Sequence, residues 1–372
     1  MASVEGRQLA GLRGVSTAGF TGRMLVWGVL AFFAISPIFN IDFAYTAGIA
    51  CVYAITGLSL NILIGYTGQL SLGHQGFIGV GSLVGANLAT NAHWPFALSL
   101  AGGAAAGAFV AFILGLVALR ITGLYLSLIT LVFGVTVASS LFAAPSLTHG
   151  GAGLDALRPS AIQTNQHFYL FCLGALLLVV YLDRQLTATK TGRALYALKE
   201  NERVAEAFGI GVTKYKLIAF SLSGAIAGFA GVVYVYLLQQ FSAQNFQGIT
   251  GINLALLFVV MVVVGGQGNR AGVIVASAFF AFLEKILDWV FKHGHAVLGH
   301  IPLLSSYYQA DAKAAVAGLL SALLLLQTLI FNPGGIGQQL KPITGWLGGG
   351  KFSLHHGGES GPGAVEGSNV RA

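Results

Sequence analysis

The chain has 372 residues, of which 55% are hydrophobic and only 8% are charged, and its formal net charge is +7. A soluble domain carries about 25% charged residues, so this composition excludes an ordinary water-soluble protein. We therefore predict an all-α polytopic membrane protein, in which the 52 glycines let helices pack closely in lipid. In such a protein, excess Lys and Arg mark the cytoplasmic side of the membrane rather than a nucleic-acid partner.

About ten apolar segments are long enough, or nearly long enough, to cross a bilayer. They lie at about 24–40, 43–64, 71–89, 95–119, 122–143, 167–182, 217–239, 251–265, 271–291 and 311–331. Ten spans place both termini on one side of the membrane. If that side is the cytoplasm, 15 of the 19 Lys and Arg residues lie in cytoplasmic segments and two lie in outer loops. This bias favours an orientation with both termini inside the cell. The polar segment before the first apolar run is long and no clear small-x-small cleavage site follows that run, so we expect an uncleaved first span rather than a signal peptide.

These spans divide the chain into five parts. They are a cytoplasmic tail at 1–23, transmembrane helices one to six at 24–182, a cytoplasmic loop at 183–216, transmembrane helices seven to ten at 217–331, and a Gly-rich cytoplasmic tail at 332–372 that we expect to be partly disordered. Cys51 and Cys172 lie inside apolar segments, where we expect buried free thiols rather than a disulfide or a metal site.

Residues 65–81 form a Gly-rich segment, whose spacing predicts a thin helix face suited to close packing. The segment also contains polar residues that lipid would leave unpaired, so they must face protein or a water-filled path: Gln69, Ser71, His74 and Gln75. A packing role with satisfied hydrogen bonds is the commoner use of such residues, and pathway lining is the alternative. No Walker phosphate-binding pattern follows these glycines or occurs elsewhere in the sequence.

Residues 183–216 hold 11 of the 31 charged residues of the chain, and nearly uncharged apolar stretches flank them on both sides. Such a segment must lie in water between the sixth and seventh spans. Within it, Asn201 can cap a short helix, and Gly209 can end that helix in left-handed geometry. Glu202 would lie in the first turn, where the helix dipole favours negative charge.

The predicted helix covers about 201–208 and is amphipathic. Val204 and Phe208 share one face, whereas Glu202 and Glu206 share another, because residues four apart are neighbours on a helix surface. The pattern fits a helix that docks a soluble partner. It also fits an ordinary solvated loop or a helix that merely lies on lipid.

Three segments resemble the permeases of ABC importers, most closely the branched-chain amino acid family of the LivM type. They read NERVAEAFGI at 201–210 with KYKL at 214–217, NILIGYTGQLSLGH at 61–74, and GGQGNRAG at 265–272. The resemblance covers roughly residues 40–335, with the segments in the same order and at similar spacing. The general Glu-Ala-Ala…Gly pattern of ABC importers is shorter here, at 205–209, and the stretch at 148–154 departs from the family form.

The resemblance implies an ABC importer permease fold with a cytoplasmic coupling helix, in the bacterial inner membrane. The chain would be a transport subunit rather than an enzyme, without a cofactor of its own. ATP and Mg²⁺ would be bound by partner ATPase subunits, a second related permease would complete the pore, and an extracytoplasmic binding protein would deliver substrate. The implied coupling residues are Asn201, Glu202, Arg203, Ala205, Glu206, Phe208, Gly209 and Lys214.

The expected substrate is a branched-chain or related amino acid, and urea or a short amide is the alternative within the family. Outside it, a stand-alone secondary transporter or channel should place paired ionisable residues near the membrane midplane. The charged residues Glu284 and Asp288 share one helix face near the outer end of the ninth span, where an ion pair or a vestibule role is expected. Three histidines in the next loop lack the ligand framework of a metal site: His293, His295 and His300.

Overall fold

A computed structural model describes residues 36–38, 41–118, 123–142, 144–148, 153–242, 246 and 254–298, with isolated positions between 319 and 335. This part of the chain is mostly helical. The helices are α1 (Ile41–Asn61), α2 (His74–Thr90), α3 (Phe96–Ala118), α4 (Leu124–Thr136), α5 (Pro145–Thr148), α6 (Asn165–Ala188), α7 (Lys190–Glu200), α8 (Glu202–Ala207), α9 (Val212–Leu238), α10 (Leu254–Gly265) and α11 (Arg270–Leu298). Turns of π-helix extend α1 over Ile62–Tyr66 and α4 over Val137–Leu141.

Five of the described helices are long and apolar enough to cross a membrane. They cover Phe43–Tyr66, Phe96–Val117, Leu124–Leu141, Asn165–Ala188 and Val212–Leu238. These helices coincide with the predicted spans at 43–64, 95–119, 122–143, 167–182 and 217–239. The apolar helices Leu254–Gly265 and Arg270–Leu283 are shorter, and α2 has 17 residues. The predicted spans at 24–40 and 311–331 lie outside the continuous described ranges, so the count of ten and the orientation stay predictions.

Two helices continue beyond the apolar segments that predicted them, because the end of an apolar run does not end a helix. The sixth span continues as helix to Ala188, inside the segment predicted to be a cytoplasmic loop, and α7 follows it almost at once. Similarly, α11 continues to Leu298, so His293 and His295 lie in a helix rather than in a loop. His300 lies outside the described residues. Backbone hydrogen bonds carry a helix past the point where its side chains become polar.

The helices α1 and α9 form the centre of the bundle. Within the described residues, 94% of the α1 span and 72% of the α9 span are buried, against 28% for α3 and 22% for α4. Four glycines let the backbones of α3 and α9 meet: Gly103, Gly107, Gly224 and Gly228. We call these four residues the glycine seam. A Cβ atom built on Gly107 would lie only 2.8 Å from Cα of Gly228, so larger residues cannot fit.

A two-stranded antiparallel sheet and the buried side chain of Arg158 lie at the predicted outer end of the helix bundle. Strand β1 (Leu154–Asp155) pairs with β2 (Gln240–Phe241). Arg158 is 7% exposed, and its guanidinium donates to the carbonyl oxygens of Tyr236 at 2.9 Å and Leu237 at 2.6 Å. These are among the last carbonyls of α9, which have no partner within their own helix and carry the negative end of its dipole. Arg158 therefore caps α9.

Candidate functional site

The short helix α8 begins as the sequence predicts. Asn201 has extended backbone geometry, and its side-chain Oδ1 accepts hydrogen bonds from the backbone N–H groups of Arg203 at 3.0 Å and Val204 at 3.2 Å. These two groups would otherwise lack a partner in the first turn. Glu202 lies in that turn. The predicted N-terminal cap is thus confirmed.

The end of α8 is also fixed by local geometry. Gly209 has a φ of +79°, and its N–H donates to the carbonyl of Glu206 at 2.9 Å, while the N–H of Ile210 donates to that of Ala205 at 3.0 Å. This pair of bonds is the Schellman arrangement that ends many helices. Nothing lies within 4 Å of a Cβ built on Gly209, so glycine is needed there for its backbone angle rather than for space.

The outer face of α8 exposes apolar side chains to water. Phe208 is 82% exposed and Val204 is 49% exposed, whereas Ala205 between them is 3% exposed and packs inward. Arg203, Glu206 and Lys214 are also exposed. Phe208 is the residue that follows the last turn of α8, and together with Val204 it makes this face a candidate interaction surface.

Glu202 has a partner that the sequence did not reveal. The ammonium of Lys216 lies 2.7 Å from its Oε1 and 2.8 Å from its Oε2, and the Lys216 side chain is only 4% exposed. This ion pair joins the first turn of α8 to the first turns of α9. The predicted docking residue Glu202 therefore also holds α8 against α9, while its side chain is still 40% exposed.

Helix α7 connects α8 to the rest of the bundle. Leu195 and Leu198 are buried, and the ammonium of Lys199 donates to the carbonyl oxygen of Gly65 at 2.9 Å. The ring of Tyr196 lies 5.2 Å from that of Tyr66, measured between centroids. Burial raises the pKa of the Tyr196 phenol above its usual value, so this ring stays neutral at physiological pH. We call α7 and α8 together, residues 190–207, the coupling segment.

Beneath the coupling segment lies a buried polar cluster that sequence reasoning missed. The hydroxyl of Tyr66 donates to Oδ2 of Asp183 at 2.8 Å, and Nε of Arg270 forms an ion pair with the same oxygen. The guanidinium also donates to the hydroxyl of Thr187. Asp183 is 1% exposed. We call these four side chains the Asp183 junction.

A cavity of about 410 Å³ opens beside the coupling segment. It lies between the 67–70 turn, the start of α4 and the residues that join α7 to α8. Its polar lining comes from Thr67, Gln69, Ser127, Lys199, Glu200, Asn201 and Glu202. The hydroxyl of Ser127 donates to the carbonyl of Leu70 at 3.1 Å, which holds the 67–70 turn against α4.

The four polar residues of the Gly-rich segment are buried and hydrogen-bonded. Gln69 accepts from the hydroxyl of Thr67, and Ser71 accepts from the N–H of Gly73. Gln69 also lines the cavity beside the coupling segment, so the packing and pathway interpretations both stay predictions.

The other two residues join α2 to its neighbours. Nε2 of His74 lies 3.0 Å from the hydroxyl oxygen of Ser223, and that hydroxyl donates to the carbonyl of Ser59 at 2.7 Å. Gln75 accepts from the N–H of Ala255 in the first turn of α10 at 3.2 Å. Among the described residues, Nδ1 of His74 has no hydrogen-bond partner.

The remaining candidates are less informative. The side chains of Glu284 and Asp288 lie outside the described part of the structure, so their proposed roles stay predictions. No group of three potential metal ligands occurs among the described residues. Cys51 and Cys172 are free and buried, which confirms the expectation for both thiols.

Apolar helices long enough to cross a bilayer and a glycine-packed centre are the features of a multi-pass helical membrane protein. The family model described as "Branched-chain amino acid transport system / permease component" matches residues 43–328. The chain belongs to this family of transport permeases. No solved structure matches it.

Individual relatives agree with this assignment. The chain is 30% identical over 292 residues to the high-affinity branched-chain amino acid transport system permease protein LivM of Salmonella typhimurium, and 30% identical over 290 residues to that of Escherichia coli. These alignments cover 69% of this chain and 66% of each relative, so the chain spans just under two thirds of their length. It is also 29% identical to the ribose import permease protein RbsC of Escherichia coli over 327 residues, covering 81% of this chain and 87% of the relative.

Proposed function

We propose that this protein is the membrane-spanning subunit of an ATP-driven importer for branched-chain or related amino acids in the bacterial inner membrane. ATP and Mg²⁺ are bound by separate ATPase subunits, which dock on α8. A second related permease completes the pore, and an extracytoplasmic binding protein delivers the substrate. The LivM relatives support this substrate class, because their names specify branched-chain amino acids.

The single observation that carries the docking proposal is the exposure of Phe208 on a rigidly capped helix. The Asn201 cap, the Gly209 turn and the Glu202–Lys216 ion pair all fix α8 before any partner arrives. Because α8 is already ordered, the Phe208 side chain can bind a cleft on an ATPase subunit with a smaller loss of conformational entropy. Exposed charges on and near α8 can set the orientation of the helix in that cleft: Arg203, Glu206 and Lys214.

Ribose is the second candidate substrate. The ribose permease alignment covers more of both chains than the LivM alignments do, at nearly the same identity. Substrate is best tested with the complete complex in proteoliposomes, supplied with labelled leucine, ribose, urea or a short amide. We expect leucine uptake that requires ATP and stops with a non-hydrolysable analogue. Uptake by this chain alone, driven by an ion gradient, would instead identify a secondary transporter.

Docking is tested by Phe208→Ala, which removes an exposed side chain and should leave the fold intact. We expect ATPase subunits to bind the variant about 30-fold more weakly, the effect of losing one hot-spot residue. The matched control is Leu157→Ala, because Leu157 is 77% exposed at the predicted outer end. Equal ATPase binding by the two variants would contradict docking on α8.

A further inference from the structure

We propose that the Asp183 junction is the link through which the coupling segment moves α1 and α11, and that Tyr66, Asp183 and Arg270 are positioning residues for transport. This inference rests on the proposed function, since it concerns how ATP-driven motion at α8 reaches the spans. It adds residues that lie outside the proposed docking surface on α8.

Helix α8 is joined to one span by an ion pair. Among the described residues, its recorded side-chain ion pair is that of Glu202 with Lys216, at the start of α9. Ala205 is its buried side chain. A displacement of α8 therefore reaches α9 directly, and it reaches the other spans through α7, to which α8 is joined at Asn201.

Helix α7 contacts the end of α1 through a hydrogen bond and a pair of aromatic rings. The ammonium of Lys199 binds the carbonyl of Gly65, and the Tyr196 ring packs on the Tyr66 ring. Both contacts fall on the π-helical turn Ile62–Tyr66. Turns of this kind interrupt the regular ladder of backbone hydrogen bonds and are common at functional sites. Motion of α7 is thus applied to the part of α1 best able to change its helical geometry.

One carboxylate oxygen of Asp183 connects the ends of three helices. Its Oδ2 accepts from the Tyr66 hydroxyl at the end of α1 and pairs with Arg270 at the start of α11, while Asp183 itself lies near the end of α6. Since Asp183 is 1% exposed, separating it from Arg270 would leave a buried charge without its partner, which is strongly unfavourable. The helix ends must therefore move together when the coupling segment moves.

A junction that only stabilises the fold and a junction that transmits motion lead to different expected results. If the junction only contributes stability, its loss lowers the amount of assembled complex but leaves each assembled complex fully coupled. A link determines how much transport follows each ATP hydrolysed. The number of substrate molecules imported per ATP, normalised to assembled complex, separates these two cases.

The experiment uses the complete complex in proteoliposomes and compares three variants. Asp183→Asn removes the charge, Arg270→Lys keeps the charge but loses the planar guanidinium, and Tyr66→Phe removes only a hydroxyl. We expect ATP hydrolysis and ATPase binding to be retained while substrate imported per ATP falls about tenfold for Asp183→Asn, a size typical of coupling between distant sites. Smaller losses are expected for Arg270→Lys and then for Tyr66→Phe.

The matched control is Arg184→Gln, which removes an exposed cation at the position next to Asp183. It should import normally. If the three junction variants keep the unmodified ratio of import to hydrolysis, whatever their yield, the inference is overturned. If Asp183→Asn and Arg270→Lys do not assemble, the import ratio of Tyr66→Phe decides whether the junction transmits motion. This variant should assemble, because its ring can remain packed on Tyr196. Absence of ATP-driven import by the unmodified complex would instead contradict the proposed function, and this inference with it.

Discussion

The glycine seam and the Asp183 junction both hold helices together, but by opposite means. In the seam, α3 and α9 meet through backbone atoms, with no room for a side chain between Gly107 and Gly228. At the junction, helix ends are joined by long side chains that converge on Asp183. Backbone contact fixes distance and angle together, whereas a side-chain link fixes distance and leaves angle adjustable. The seam therefore suits a rigid unit and the junction suits a moving connection.

The strongest way to break this comparison is to enlarge a residue in the seam. Gly228→Leu places a Cβ against the carbonyl of Gly103 and 3.0 Å from Cα of Gly107. We expect a destabilisation of about 3 kcal/mol, at the upper end for overpacking, and strongly reduced protein in the membrane. Thermal unfolding in detergent measures it. Gly174→Leu is the control, since nothing lies within 4 Å of a Cβ there, and similar losses in both variants would contradict a packed seam.

A smaller effect is expected at the outer end, where a buried cation caps one helix. Arg158→Ala removes the donors to the carbonyls of Tyr236 and Leu237. We expect a loss of about 2 kcal/mol, since hydrogen bonds from charged groups are stronger than neutral ones. Thermal unfolding should show this loss while import per ATP by assembled complex stays unchanged. The exposed Arg184→Ala serves as control. A changed ratio of import to ATP hydrolysis for Arg158→Ala would mean that motion is also transmitted through the predicted outer end of the bundle.

Charge reversal on α8 sharpens the role of the coupling segment. Glu206→Lys leaves the protein in the membrane because Glu206 is exposed, but we expect it to uncouple transport from ATP hydrolysis. A loss of about tenfold in import per ATP corresponds to 1.4 kcal/mol of mispairing at a docking surface. Glu206→Gln separates charge from shape and should retain most activity. Normal uptake by Glu206→Lys in a normally assembled complex would remove Glu206 from the docking surface.

The smallest expected effect concerns the turn after α8. Gly209→Ala forces a side chain into a φ of +79°, which costs about 1 kcal/mol. Import should fall modestly, because the end of α8 frays while its N-terminal cap and ion pair remain. Gly211→Ala is the matched control, since Gly211 has a φ of −69°. If both variants behave alike, the left-handed turn is not what positions Phe208.

What could be predicted from the sequence was local. The Asn201 cap and the Gly209 turn follow from residues within one helical turn, and both were correct. The apolar runs at 43–64 and 217–239 follow from composition over about 20 residues. The pairing of Asp183 with Arg270 joins residues 87 positions apart, and no local pattern indicates which charges meet. Even Glu202 and Lys216, 14 positions apart, became partners only once two helices were placed side by side.

The contact between Gln75 and Ala255 has a consequence for how short helices live in lipid. Helix α10 has 12 residues, so it is about 18 Å long, against about 30 Å for the hydrocarbon core. Near the start of such a helix, backbone N–H groups need a partner, and the side-chain oxygen of Gln75 takes the place of water for one of them. Pulling α2 away from α10 would remove this hydrogen bond from a buried backbone group, which is unfavourable. The hydrogen bond therefore ties the start of α10 to α2, and a side chain on one helix supplies what the short length of the other leaves unmet.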